Sequence, residues 1–207
     1  MPDFINYPFA KYGLDVSRET REKFNHYSEL LLKWQKVINL VSEATLEELP
    51  VRHFLDSAQL IKYIPDKNIK LADLGSGAGF PGLVLAMLGV ADVHLIESDV
   101  RKATFLREVS RETNTKVTVH DDRVEDTSIP SLDFITARAL APLKDLLVMA
   151  DKLTTPQHPV TCLFMKGEKT AEELSKAQKR WNFTLEQYQS ITDQTGKILK
   201  INNLKEK

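Results

Sequence analysis

Apolar residues at Phe24, Tyr27, Leu31, Trp34 and Ile38 recur at spacings of three and four, which predicts an amphipathic helix from Ser17 to about Val37. Residues Met1–Val16 show no such period and read as a loosely structured arm. Thr45 and Glu48 spell T-x-x-E, a capping box, and Pro50 opens a further helical stretch through His53 to Ile64 that Pro65 and Asp66 end. Beyond this point the pattern changes. Short apolar runs ending near Leu74, Glu97, His120, Ala137 and Met165 alternate with helical patterns near Pro81–Leu88, Val100–Thr113, Ala141–Leu153 and Thr170–Trp181. Such alternation predicts an α/β fold, a doubly wound parallel sheet. Two β-rich segments, Phe183–Ile191 and Lys197–Ile201, flank a turn at Gln194–Gly196 and should pair as an antiparallel edge. The expected organisation is a helical extension over residues 1–66 packed on a Rossmann-like domain over residues 67–207.

The most informative stretch is Leu71–Gly82, LADLGSGAGFPG. A buried strand runs into three glycines at alternate positions, Gly75, Gly77 and Gly79, and Pro81 then suits the first turn of a helix. A glycine loop between a strand and a helix N-terminus is where open α/β sheets take nucleotide-like ligands. Glu97, an acid at the end of the next strand, is the candidate to accept both hydroxyls of a ribose. Gly77, Gly79 and Gly82 also satisfy the dinucleotide pattern G-x-G-x-x-G. Asp73 gives D-x-G-x-G-x-G instead, which resembles the S-adenosylmethionine loop of class I methyltransferases. A carboxylate there suits the charged amino-acid end of that cofactor better than it suits a pyrophosphate. The antiparallel ending likewise favours the methyltransferase over the dinucleotide fold.

Composition narrows the class. The chain has 207 residues, enough for a substantial core, with apolar and charged fractions of 42% and 28%. No apolar run is long enough to span a bilayer, and the N-terminal residues do not read as a secretory signal. The single cysteine, Cys162, excludes an internal disulfide and a cysteine-based zinc site. No metal is expected, and a cytosolic, monomeric protein is. With 28 basic against 29 acidic residues, global charge gives no support to a nucleic-acid partner, so any such surface must be local.

Ligands of parallel sheets collect at the carboxyl ends of the strands. Those ends carry Asp73 with Ser76 and the loop, Glu97, Arg123 with Val124 and Glu125, Arg138, and Lys166, so three of the five bring a cation. Arg138 either holds a ligand in its planar fork or stiffens the loop by pairing with Asp73 or Glu125. His53 and Asp56, three apart on one helical face, either form a pair facing the acceptor or cap the core. Asn39 is a functional amide or a helix C-terminal cap. Cys162, mid-strand among apolar neighbours, reads as buried and inert. Poor placement of that cysteine argues against pyrimidine carbon methylation, and ARAL after the fourth strand argues against an exocyclic amine acceptor. A ring nitrogen such as N7 of guanine has no proton to lose and needs no base, only alignment and charge stabilisation.

RHFLDSAQL, DLGSGAGFPG, HLIES with the following RK and FL, RVED, TARALAPL and FMKG, in this order, closely resemble the bacterial small-subunit rRNA guanine-N7 methyltransferases, the glucose-inhibited division protein B family. The likeness covers about Trp34–Gly167. It implies methyl transfer from S-adenosylmethionine to N7 of one guanosine in 16S rRNA. The weak overall charge points to a structured ribonucleoprotein surface, the assembling small ribosomal subunit, as the RNA partner. The family's cofactor positions fall on Gly75, Phe80, Val124, Glu125 and Arg138, to which the loop's own reading adds Asp73, Ser76, Gly77, Gly79 and Glu97. Asn39, His53, Asp56, Arg123 and Lys166 are assigned to the RNA side. The catalytic residues stay unassigned. Two other readings compete: a nicotinamide-dependent oxidoreductase using the alternative glycine register, and a cofactor-binding RNA module without catalysis.

Overall fold

In a computed structural model, which describes residues 2–155 and 158–207, five parallel strands form the body of one sheet. They are β1 (Lys70–Leu74), β2 (Asp92–Ile96), β3 (Thr118–His120), β4 (Phe134–Arg138) and β5 (Thr161–Lys166). A C-terminal hairpin, β6 (Trp181–Gln189) and β7 (Lys197–Glu206), completes the order β3-β2-β1-β4-β5-β7-β6, with β7 antiparallel to both neighbours. The chain winds outward from β1 in one direction and from β4 in the other. Between the carboxyl ends of these two strands the helices diverge and leave a crevice.

Helices cover both faces. On one lie α1 (Arg18–Gln35), a mixed helical segment over residues 50–63 whose central turn is α2 (Asp56–Ala58), α3 (Gly82–Met87) and α4 (Val100–Glu112). The other carries α5 (Leu143–Leu153) and α6 (Thr170–Ala177). Side chains along β1 alternate between the faces: Leu71 joins the first core, Ala72 and Leu74 the second. No helix among the described residues is long and apolar enough to cross a membrane.

Three local expectations are corrected. The arm is packed: Phe4 and Phe9 are fully buried, the Phe4 ring lies 4.5 Å from that of Phe54, and Phe9–Tyr12 makes a turn of 3-10 helix, while Met1 lies outside the described residues. Arg21 fixes the arm by donating to the carbonyls of Phe4, Ile5, Tyr7 and Val16. Isolated aromatics held by one guanidinium leave no period to read. The T-x-x-E box does not form, because the Thr45 hydroxyl donates to the Ser42 carbonyl instead. Trp181 opens β6 rather than ending α6, and its ring is buried in the second core.

An aromatic chain links the arm to the crevice. Phe4 and Phe24 pack on Phe54, Phe54 on Tyr27 and Phe80, and the Phe80 ring stacks 5.2 Å from Tyr27. Helix α1 also reaches the glycine loop directly, since the Tyr27 hydroxyl donates to the Ala78 carbonyl. The N-terminal helices are therefore part of the scaffold behind the loop.

Candidate active site

At the crevice is a cleft of about 960 Å³ lined by the glycine loop, the carboxyl ends of β2, β4 and β5, the 52–56 segment and the hairpin turn. Gly75 and Gly77 adopt φ of +59° and +56°, and a Cβ built on Gly77 meets nothing nearer than 3.8 Å. Main chain is thus presented bare to the cleft at Gly77, whereas a Cβ on Gly75 would fall 2.4 Å from Leu140 Cδ1. The Glu97 carboxylate is mostly buried and accepts the N–H of Gly77 and that of Asp99, each at 2.8 Å. One acid therefore ties the loop to the end of β2. Phe80, Val124 and Glu125 line the same end.

Asp73 and Gly79 belong to the back of the loop. Asp73 is fully buried, accepts the Thr136 hydroxyl at 2.7 Å and the Gly82 N–H at 3.2 Å, and does not line the cleft. Burial pushes its pKa up to about 6. It anchors the loop to β4 through Thr136 and to the start of α3 through Gly82. Ser76 borders the cleft, but its hydroxyl donates back to the Asp73 carbonyl. Gly79 faces the core against Tyr27 and Leu83.

The wall formed by the 52–56 segment is built around Arg138. Its Nη1 donates to the Arg52 carbonyl at 2.9 Å and lies 3.4 Å from Asp56, while Nη2 donates to His53 Nδ1 at 2.9 Å. The guanidinium rests 5.1 Å above the Phe80 ring. The ion-pair partner expected from sequence, Asp73 or Glu125, is in fact Asp56. His53 and Asp56 both face the cleft, but Arg138 stands between them. His53 Nε2 meets the Thr45 hydroxyl at 2.8 Å, and Asp56 Oδ1 accepts from Gln59 and Thr192. Arg123 is exposed at the mouth, whereas Lys166 is engaged by the Ala141 carbonyl and Glu173. Asn39 is exposed; it does not cap α1, whose C-cap is Lys36, and it does not line the cleft. Cys162 is buried, and its thiol is pushed up to about 12.

The model of the family described as rRNA small subunit methyltransferase G matches residues 20–202. The chain belongs to this family. A ribosomal RNA small subunit methyltransferase G from Rhodospirillum centenum is 49% identical over 195 residues, covering 94% of this chain and 88% of the relative. One from Paramagnetospirillum magneticum is 50% identical over 184 residues, 89% of each chain. Among solved structures, the fold matches a magnesium protoporphyrin IX methyltransferase from Synechocystis PCC 6803 with bound SAM, at a TM-score of 0.62 and 13% identity over 91% of this chain and 98% of that chain. A TehB-like SAM-dependent methyltransferase from Corynebacterium glutamicum matches at 0.57 and 14%, over 87% and 99%. At such identities the likeness is one of fold, the class I methyltransferase sheet expected from the sequence.

For this family member, the sequence reading missed the residues that hold the site from behind. In the sequence Thr45 reads as a helix cap, and Gln59 and Thr192 carry no signal. Gln59 donates to Ser190 and accepts the Ile191 N–H, and Arg52 lies 3.6 Å from Asp193, so the hairpin turn is latched to the 52–59 segment as one wall of the cleft. No local spacing signals contacts between positions more than 130 apart in the chain.

Burial and the cations Arg138 and Arg52 hold the His53 pKa down to about 3 against its ordinary 6.5, with Asp56 the acid nearby. Between those values the unfolded chain binds a proton that the folded one does not. The stability His53 contributes is therefore complete above pH 6.5 and lost as pH falls toward 3. His53→Asn should make acid unfolding shallower than wild type by up to one proton, about 1.4 kcal/mol per pH unit. Urea unfolding of both proteins from pH 7 to 4 measures the difference, which cancels the titration of Asp73.

Proposed function

We propose that this chain transfers a methyl group from S-adenosylmethionine to N7 of a guanosine in 16S rRNA. The observation that carries the reading is the state of the two groups a sequence would offer as bases. Both ring nitrogens of His53 and both carboxylate oxygens of Asp56 are occupied by protein partners, and His53 is held neutral. Such a site suits an acceptor that is already nucleophilic, where positioning does the catalytic work. A purine N7 is one.

The loop end of the cleft fits the cofactor. Gly77 lets a ligand approach the main chain, Gly75 makes the left-handed turn before it beneath Leu140, Glu97 offers a carboxylate to ribose hydroxyls, and Val124 offers an apolar surface to an adenine. Phe80, Glu125 and Arg138 complete that end. When bound, S-adenosylmethionine supplies an electrophilic methyl group on its sulfonium. Asp73, Ser76 and Gly79 serve it by holding the loop in shape. On the acceptor side, His53 and Asp56 shape the wall, and Arg123, with Lys102 and Lys169 also at the mouth, is available to RNA phosphates. Lys166 acts through its bracket to Glu173. Near-zero net charge favours a structured ribonucleoprotein, the assembling small subunit, over naked RNA as the acceptor, met by a single copy of the chain.

Nucleoside mass spectrometry of 16S rRNA from a strain lacking this gene, before and after incubation with purified protein and S-adenosylmethionine, tests the proposal. The expected result is loss and recovery of one 7-methylguanosine. An unchanged nucleoside profile would overturn it.

A further inference from the structure

We infer that His53 is a positioning residue, whose ring, pinned by Thr45, aims the Arg138 guanidinium into the cleft. The inference rests on the reading of Arg138 as a group that binds within that cleft.

The tautomer follows from the two neighbours independently. The Thr45 hydroxyl has one hydrogen, given to the Ser42 carbonyl at 2.7 Å, so toward His53 Nε2 it can only accept. Nε2 therefore carries the proton and Nδ1 a lone pair. From the other side, a guanidinium can only donate, and it donates to that Nδ1 at 2.9 Å. An imidazole lone pair lies in the ring plane, so the orientation of the ring dictates the orientation of the guanidinium. That ring is held at one end by Thr45 and at its face by Phe80, 5.0 Å away.

Asp56 neutralises Arg138 but does not aim it equally well. Its contact is long, 3.4 Å, and its other oxygen is drawn to Thr192 and Gln59. The two 2.9 Å bonds, to His53 and to the Arg52 carbonyl, fix the plane. Three of the five guanidinium N–H groups are thereby spent toward the 52–56 segment. The fork's other donors, Nε–H and the second Nη2–H, have no partner among the described residues and are left for a ligand.

The test compares Thr45→Val, Thr45→Ser, Arg138→Lys and the Thr45→Val/Arg138→Lys double variant. Readouts are affinity for S-adenosylhomocysteine by calorimetry, KM and kcat for methyl transfer to 16S rRNA, and the melting temperature. Arg138→Lys should weaken binding about tenfold, as loss of a planar charged donor does. Thr45→Val should weaken it by about fivefold through KM, with kcat little changed, and Thr45→Ser should restore it. The double variant should bind no more weakly than Arg138→Lys alone, because both changes disable one unit. Thr45→Val that lowers only the melting temperature, or whose effect adds in full to that of Arg138→Lys, overturns the inference. If Arg138→Lys itself binds like wild type, the underlying reading of Arg138 is what has failed, and the inference falls with it.

Discussion

Gly79→Ala is expected to destabilise the protein by about 3 kcal/mol, a large share of the 5–15 kcal/mol typical of a whole domain. Two costs combine. The residue sits at φ +95°, where an L side chain is strained. Its new Cβ would fall 2.5 Å from Leu83 Cδ1, 2.6 Å from the Tyr27 hydroxyl and 3.0 Å from Leu106 Cδ2. None of these can retreat easily, because Tyr27 is wedged between Phe54 and Phe80 and bonded to the Ala78 carbonyl. The expected readout is a lower urea midpoint with an unchanged slope. A midpoint equal to that of wild type would mean that the loop takes another path.

Gly77→Asn, two residues earlier, should do the reverse: keep the fold and lose at least a hundredfold in affinity for S-adenosylhomocysteine. Asparagine tolerates the left-handed region better than other side chains, so the φ of +56° costs little. The bond from the Gly77 N–H to Glu97 is a main-chain one and survives the substitution. What changes is the cleft itself, where the side chain occupies space that Gly77 leaves open beside the loop. Calorimetry together with a melting curve checks both halves of the expectation. Wild-type affinity would place the cofactor away from this loop. The two substitutions separate two reasons for glycine within one motif: room for a ligand at Gly77, room for the core at Gly79.

The sequence does not distinguish these reasons, because D-x-G-x-G-x-G looks the same whichever way each residue faces. It does announce the strand, the loop and the acid at Glu97, since each depends on neighbours a few residues away. The five parallel strands and the hairpin were legible for the same reason, in the switch from helical period to short apolar runs. Asp73 was readable as important but not as buried. Its direction depends on Thr136, a residue of another strand. The same limit applies to Arg138, whose partner is Asp56 across the cleft rather than the acids nearer to it in the motif. Thr45 was misread because T-x-x-E is a local rule, and His53 offers its hydroxyl a partner eight residues away. The arm was misread because Phe4 and Phe9 are buried one by one, without a repeating face.

The strand order has a consequence for synthesis. β7, which follows β6 in the chain, inserts between β5 and β6 and brings the hairpin turn against Gln59 and Asp56. A chain that stops short of residue 197 therefore carries a complete glycine loop but an unfinished cleft, with one flank of β5 unpaired along its length. Synthesis must pass through β7 before the site exists, so shorter products are predisposed to associate through that open flank rather than to bind cofactor unproductively.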